Sequence, residues 1–143
     1  MNNILVAVDL NDSSQLLVEK AVEQAEKFGS KVWILHVADP EPDFVGNEVG
    51  PQYIRDLRAD ELLKEHRMIR KYIDYLKAKD INADGLLIAG ATIQTILEET
   101  EKLNIDLVII GHHQHSLVYK IFTGSTDIPV VKNSKVPVLI VPI

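Results

Sequence analysis

Five short runs rich in Val, Ile and Leu recur along the chain, at residues 4–8, 32–37, 85–89, 107–110 and 136–141. Each is continuous rather than alternating, the pattern of a strand buried on both faces in a parallel sheet with helices on either side. Between these runs the apolar positions change to a three-to-four spacing. From 13 to 29 they are Leu16, Leu17, Ala21, Val22, Ala25 and Phe28, with Ser13 or Ser14 as N-cap and Gly29 as the stop. Residues 52–79 repeat the pattern through Ile54, Leu57, Leu62, Ile69, Tyr72, Ile73 and Leu76, with Arg and Lys on the opposite face, and predict the longest helix. Thr92 is placed to cap a third helix that runs to Leu103, turns Ile93, Ile96 and Leu97 inward and ends at Asn104. A short fourth helix is expected after Gly124, Ser125 and Thr126, because Pro129 is tolerated only in a first turn.

The resulting order, five strands alternating with four helices, predicts an α/β fold with right-handed crossovers and a mostly parallel sheet. In such sheets ligands sit at the carboxyl ends of the strands, where the strand order reverses. The turns that begin at Asp9, after the first strand, and at Gly111, after the fourth, are therefore the places for a site. Residues 39–51 break the rhythm with Pro40, Pro42, Gly46, Gly50, Pro51 and four carboxylates. Such a stretch reads as a solvated loop, with a lid over the crevice as the alternative.

At 143 residues, 46% hydrophobic and 25% charged, the chain has the size and composition of one folded domain. Its formal net charge of −6 argues against nucleic acid or an anionic membrane surface as partner. The absence of cysteine excludes disulfides, thiol nucleophiles and Cys-based metal sites. The first residues carry a carboxylate at Asp9 and no basic region, unlike a secretory signal, and no apolar run approaches the roughly 18 residues of a membrane span. The expected location is the cytoplasm.

Gly111 is read as ending the fourth strand, and a glycine there lets backbone approach a ligand closely. Gly124, Ser125 and Thr126 bring small residues and hydroxyls to a helix start, the make-up of a phosphate cradle. Either cluster alone reads more readily as a plain strand end or an ordinary capped helix. His112, His113 and His115 are residue types that bind Zn²⁺, but neighbouring side chains on an extended turn diverge, so they read as exposed turn residues or a phosphate contact. His36, inside an apolar strand, reads as a hydrogen-bonded sheet histidine. No Gly-x4-Gly-Lys-Ser/Thr, Gly-x-Ser-x-Gly, His-Glu-x2-His or Gly-x-Gly-x2-Gly pattern stands where such chemistry needs it. With Asp9 as the one crevice carboxylate and Lys120 as the one nearby cation, the chain supports at most slow hydrolysis of a bound phosphate compound.

The spacing of these clusters resembles the universal stress protein family, whose ATP-binding members carry Gly-x2-Gly-x9-Gly-Ser after the fourth strand. Here Gly111 is followed by two residues, then Gln114, then nine residues, then Gly124-Ser125. The likeness extends to Ile4 through Asp9, to Leu35-His36-Val37, to Gly90 and to Lys135 through Val141. It implies a Rossmann-like fold of the adenine nucleotide alpha hydrolase-like type, five parallel strands in the order 3-2-1-4-5 with helices on both faces. It also implies a role in regulating the stress response, a homodimer and, in many members, bound ATP. By position, Ala7, Asp9 and Val37 then flank base and ribose, Ile110, Gly111, His113 and Gln114 the sugar and phosphate, and Gly124, Ser125 and Thr126 the phosphates. Asp9 or Asp127 becomes a ligand for ATP-bound Mg²⁺. Gln114 stands where the motif has its second glycine, and it favours the alternative of a nucleotide-free dimeric regulatory protein. The dimer is expected through the apolar edge strand at 136–143, paired antiparallel around a two-fold axis.

Overall fold

Unbroken runs of branched aliphatic residues settle into strands because both of their faces can be buried. In the computed structural model, which describes residues 1–38, 52–112 and 127–143, they form β1 (Asn3–Ala7), β2 (Lys31–Ala38), β3 (Ala83–Ala89), β4 (Leu107–His112) and β5 (Val138–Pro142). All neighbouring strands are parallel, in the order β3-β2-β1-β4-β5. This is the five-stranded 3-2-1-4-5 sheet expected from the sequence. The connecting helices are α1 (Ser14–Phe28), α2 (Gln52–Lys77), α3 (Thr92–Lys102) and α4 (Asp127–Asn133). Alternate strand residues feed two cores. Ile4, Val6, Val32, Ile34 and Ile109 face α1 and α2, while Leu5, Leu35, Val108 and Ile110 face α3 and α4.

The helices bury faces slightly different from those read by spacing. On α1, Val18 is fully buried, while Leu16 and Phe28 are about half exposed. Gly29 stops the helix in the left-handed conformation, φ 65°, its N–H donating to the Ala25 carbonyl. On α3 the buried stripe is Thr95, Ile96, Glu99 and Thr100, with Ile93 and Leu97 only partly covered. Thr92 does not cap this helix. It is the first helical residue, and Ala91 holds the cap position without a side-chain bond. Asn104, φ 51°, supplies the left-handed residue after its end.

Packing of α2 follows its faces. Ile69, Tyr72, Ile73 and Leu76 are buried, whereas Leu57 and Leu63 are exposed. The helix period explains the split: at about 100° per residue Leu57 and Leu63 point away from the face that carries the buried four, while Arg58, Leu62 and Glu65 stand on that face and are partly covered. On the same face α2 lies so close to β3 that a Cβ on Gly85 would collide with Ile69 and Ile73.

Every strand has a limit one or two residues from that expected, and two of these shifts have a visible cause. β5 starts at Val138 rather than at 136, because Val136 is taken up in a turn with Ser134, whose hydroxyl donates to the Val136 carbonyl at 2.8 Å. β4 does not stop at Gly111. Gly111 and His112 pair with Val141 and Pro142, and the Ile143 N–H donates to the His112 carbonyl at 2.9 Å. No helix among the described residues is long and apolar enough to cross a membrane.

The central pair β1 and β4 is clamped at its start by one side chain. Asp106 Oδ2 accepts the backbone N–H groups of Asn2 at 2.7 Å and Asn3 at 2.9 Å. These bonds, that of Asn3 most of all, hold its carboxyl below the ordinary aspartate value. The ionised form is thus favoured by folding. Its stabilisation is present above an ordinary value near 3.8 and is lost as pH falls below it. Asp106→Ala is expected to lower stability by about 1 kcal/mol at pH 7, a modest figure because the group is solvated. Urea titrations of both proteins should show that deficit shrinking as pH falls below 4; a deficit that stays constant with pH would refute the clamp.

Candidate functional site

The site expected from the sequence lies at the carboxyl edge of the sheet, where the order reverses between β1 and β4. The turn leaving β1 is built by short-range polar bonds. Val8 N–H donates to the Leu35 carbonyl at 2.9 Å, so the chain still follows β2 one residue past the strand. Leu10 then takes φ 59°, a left-handed conformation that costs an L-residue about 1–2 kcal/mol and is offset by packing its side chain on the α1/α2 core. Ser13 occupies the N-cap position of α1 but makes no side-chain cap bond. Asn11 acts instead, its Oδ1 accepting the Ser13 N–H and its carbonyl the Ser14 N–H, both at 3.0 Å. The expected serine cap is thus an asparagine turn two residues earlier.

Three of the expected site residues come together on one face. Ala7, Val37 and Ile110 sit on the adjacent strands β1, β2 and β4 and all join the α3/α4 core, Ala7 and Val37 only partly covered and Ile110 buried. They form an apolar wall at the carboxyl ends of the three central strands. Asp9 is exposed beside it at the start of the turn.

Gly111 has a packing reason that the sequence did not reveal. A Cβ there would lie 2.5 Å from Ile143 Cδ1, 3.2 Å from its Cγ1 and 3.6 Å from Leu17 Cδ1. The missing side chain therefore makes room on the α1 side of β4, opposite the wall. His113, Gln114, His115, Lys120, Gly124, Ser125 and Thr126 lie outside the described residues, and Asp127 opens α4. Among the described residues no group of three or more His, Asp or Glu side chains is arranged to hold a metal ion.

The sequence reading also passed over a histidine contact. His36 Nδ1 lies 2.8 Å from the Val8 carbonyl oxygen, and since a carbonyl only accepts, Nδ1 carries the proton. Its Nε2 lies 3.7 Å from Glu65 Oε1 of α2. The apolar strand around His36 signalled a hydrogen-bonded ring, but nothing in the spacing pointed to Glu65, 29 residues away.

The model of the universal stress protein family matches residues 1–142. The chain belongs to this family. It is 32% identical over 143 residues to a universal stress protein A homolog of Haemophilus ducreyi, a match covering 99% of this chain and 96% of the relative. A universal stress protein from Lactobacillus plantarum superimposes with a TM-score of 0.81 at 22% identity, covering 98% of this chain and 97% of that one. A universal stress protein solved in complex with cAMP gives 0.72 at 23% identity over 98% and 95% of the two chains. A family protein from Arabidopsis thaliana with AMP bound gives 0.68 at 16% identity over 99% and 92%. At these identities the structural likenesses establish the shared fold.

The crowding at Gly111 leads to a double-mutant test. Gly111→Ala should destabilise the protein by about 1 kcal/mol as the new methyl displaces the Ile143 side chain. With Ile143→Ala in the background the same change should cost nothing measurable. Equal costs in the two backgrounds, read from thermal unfolding, would assign the glycine to something other than this contact.

Proposed function

We propose that this universal stress protein binds an adenine nucleotide at the carboxyl edge of its sheet, across β1, β2 and β4. The observation that carries the reading is the apolar wall of Ala7, Val37 and Ile110 at the reversal of strand order, with exposed Asp9 beside it. A planar base needs an apolar surface to cover it, and a ribose needs a hydrogen-bond acceptor at the rim. Ala7, Val37 and the backbone of Ile110 supply the first, and the Asp9 carboxylate the second. The phosphates then fall to Gly111, His113, Gln114, Gly124, Ser125 and Thr126, and where the ligand is ATP its Mg²⁺ falls to Asp9 or Asp127. The AMP and cAMP complexes of two structural neighbours support the ligand class. The proposed role is regulatory and cytoplasmic: occupancy alters a surface read by other proteins. Gln114 in place of the second motif glycine favours a second reading, a nucleotide-free dimer acting through its surface alone.

Calorimetry with AMP and ATP separates the two. Under the first reading the wild type binds with micromolar affinity, and Gly124→Val weakens binding at least tenfold by filling the backbone approach to the phosphates. No heat from the wild type supports the second reading. Undiminished affinity in the variant puts the phosphates elsewhere.

Both readings include a homodimer. β5 is an edge strand, and its Ile140 is 40% exposed, so a second copy can pair with it antiparallel and cover that side chain. Pro137 and Pro142 offer no N–H, which centres the pairing on residues 138–141. Sedimentation at micromolar concentration should give twice the 16.0 kDa chain mass, and Ile140→Lys should halve it. A wild type that sediments at the chain mass would exclude this interface.

A further inference from the structure

We infer that His36 is a positioning residue that ties the nucleotide-site turn to α2, so that the seating of the ligand and the seating of this helix depend on one another. The inference rests on the proposed nucleotide site and adds a specific residue and a route of coupling to it. Along β2, His36 and Val37 are consecutive and therefore point to opposite faces of the sheet. Val37 belongs to the wall on the α3/α4 side, and His36 faces α2. One strand position thus serves the ligand and the next serves the helix.

The His36 ring bridges two elements that the chain order keeps apart. Its Nδ1–H donates to the Val8 carbonyl at 2.8 Å, the last peptide before Asp9 and the left-handed Leu10. Val8 is also bonded through its N–H to Leu35, so both polar backbone groups of this residue are held by β2. A turn containing a strained residue keeps one conformation only if its neighbours fix it, and the imidazole is one of those fixings. On its other side, Nε2 faces Glu65 Oε1 at 3.7 Å, beyond hydrogen-bond reach, so the pair attracts as an ion pair when the ring carries both protons; the ring is only 13% and the carboxylate 24% exposed. Glu65 Oε2 is buried without a hydrogen-bond partner among the described residues. When the imidazole carries both protons, it is a cation set beside this mostly buried carboxylate.

Position on α2 gives this contact its reach. Glu65 lies one turn before Ile69, on the helix face that carries Ile69, Tyr72, Ile73 and Leu76 into the core. His36 therefore meets α2 on its sheet-facing side, next to the residues that anchor it.

The test compares wild type, His36→Leu and His36→Asn by amide hydrogen exchange and by AMP calorimetry. Leu removes both contacts. It should speed exchange at least tenfold in residues 8–12 and 60–68 while leaving β4 protected, and weaken AMP about tenfold. Asn places an amide N–H where ring Nδ1 stood but is too short for Glu65. It should restore protection at 8–12, leave 60–68 fast and bring AMP affinity back to within threefold of wild type. Unchanged exchange at 8–12 in the Leu variant, or failure of Asn to restore it, overturns the tie. A wild type that binds no AMP overturns the nucleotide reading and with it the ligand half of this inference, whereas the exchange comparison decides the tie of turn to helix by itself.

Discussion

Covering both faces of a single parallel sheet is the constraint on which the rest of this molecule depends. Ile4, Leu5 and Val6 follow one another in β1 and all are fully buried, which is achievable only with helices above and below. Helices on both faces require the chain to return after each strand to the amino edge of the sheet. Every strand therefore delivers its following turn to the same carboxyl edge. Because the chain winds first toward β3 and later toward β5, β1 and β4 end side by side at that edge. The site is a by-product of winding. Residues such as Ala7 and Ile110, about a hundred positions apart, become neighbours because the core needs β1 beside β4.

Elements whose identity depends on burial of a whole face were legible from the sequence. All five strands, to within one or two residues at their ends, and the helices α1 to α3 stand where apolar pattern put them, since a run or a three-to-four spacing sums many residues, while α4 was placed by Pro129 and the small residues before it. What escaped was set by single contacts. Val18 rather than Leu16 enters the core because the helix face is rotated by a few tens of degrees, a difference that spacing among mixed apolar residues does not encode. The start of α1 is organised by Asn11, because a left-handed Leu10 brings that side chain into reach of the Ser13 N–H, and no residue pattern announces a leucine at positive φ.

The site divides in the same way. Its expected place followed from strand order, whereas Ala7, Val37 and Ile110 were expected from the family resemblance, and the structure sets them on one face of adjacent strands. Gly111 shows the limit of reading a motif. A glycine at a strand end suggests approach of a ligand, yet its open side is filled by Ile143 and Leu17, so packing alone is sufficient reason for it. The phosphate-side residues Gln114, Gly124, Ser125 and Thr126 stay an expectation from sequence, as they lie outside the described residues.

A strand with a period of two also explains how a site can be felt on the far side of a sheet. A sheet of close-packed aliphatic residues deforms little, so a ligand on the α3/α4 face does not push through it to α2. The backbone of the central strands, however, belongs to both faces. Displacement of the turn at Val8 moves a carbonyl that the imidazole of His36 holds from the opposite side. The response falls on the sheet-facing side of α2, one turn before Ile69 and Ile73, which are pressed against Gly85. A polar residue at position 36, in a strand otherwise suited to aliphatic side chains on both faces, joins the turn of one face to the helix of the other.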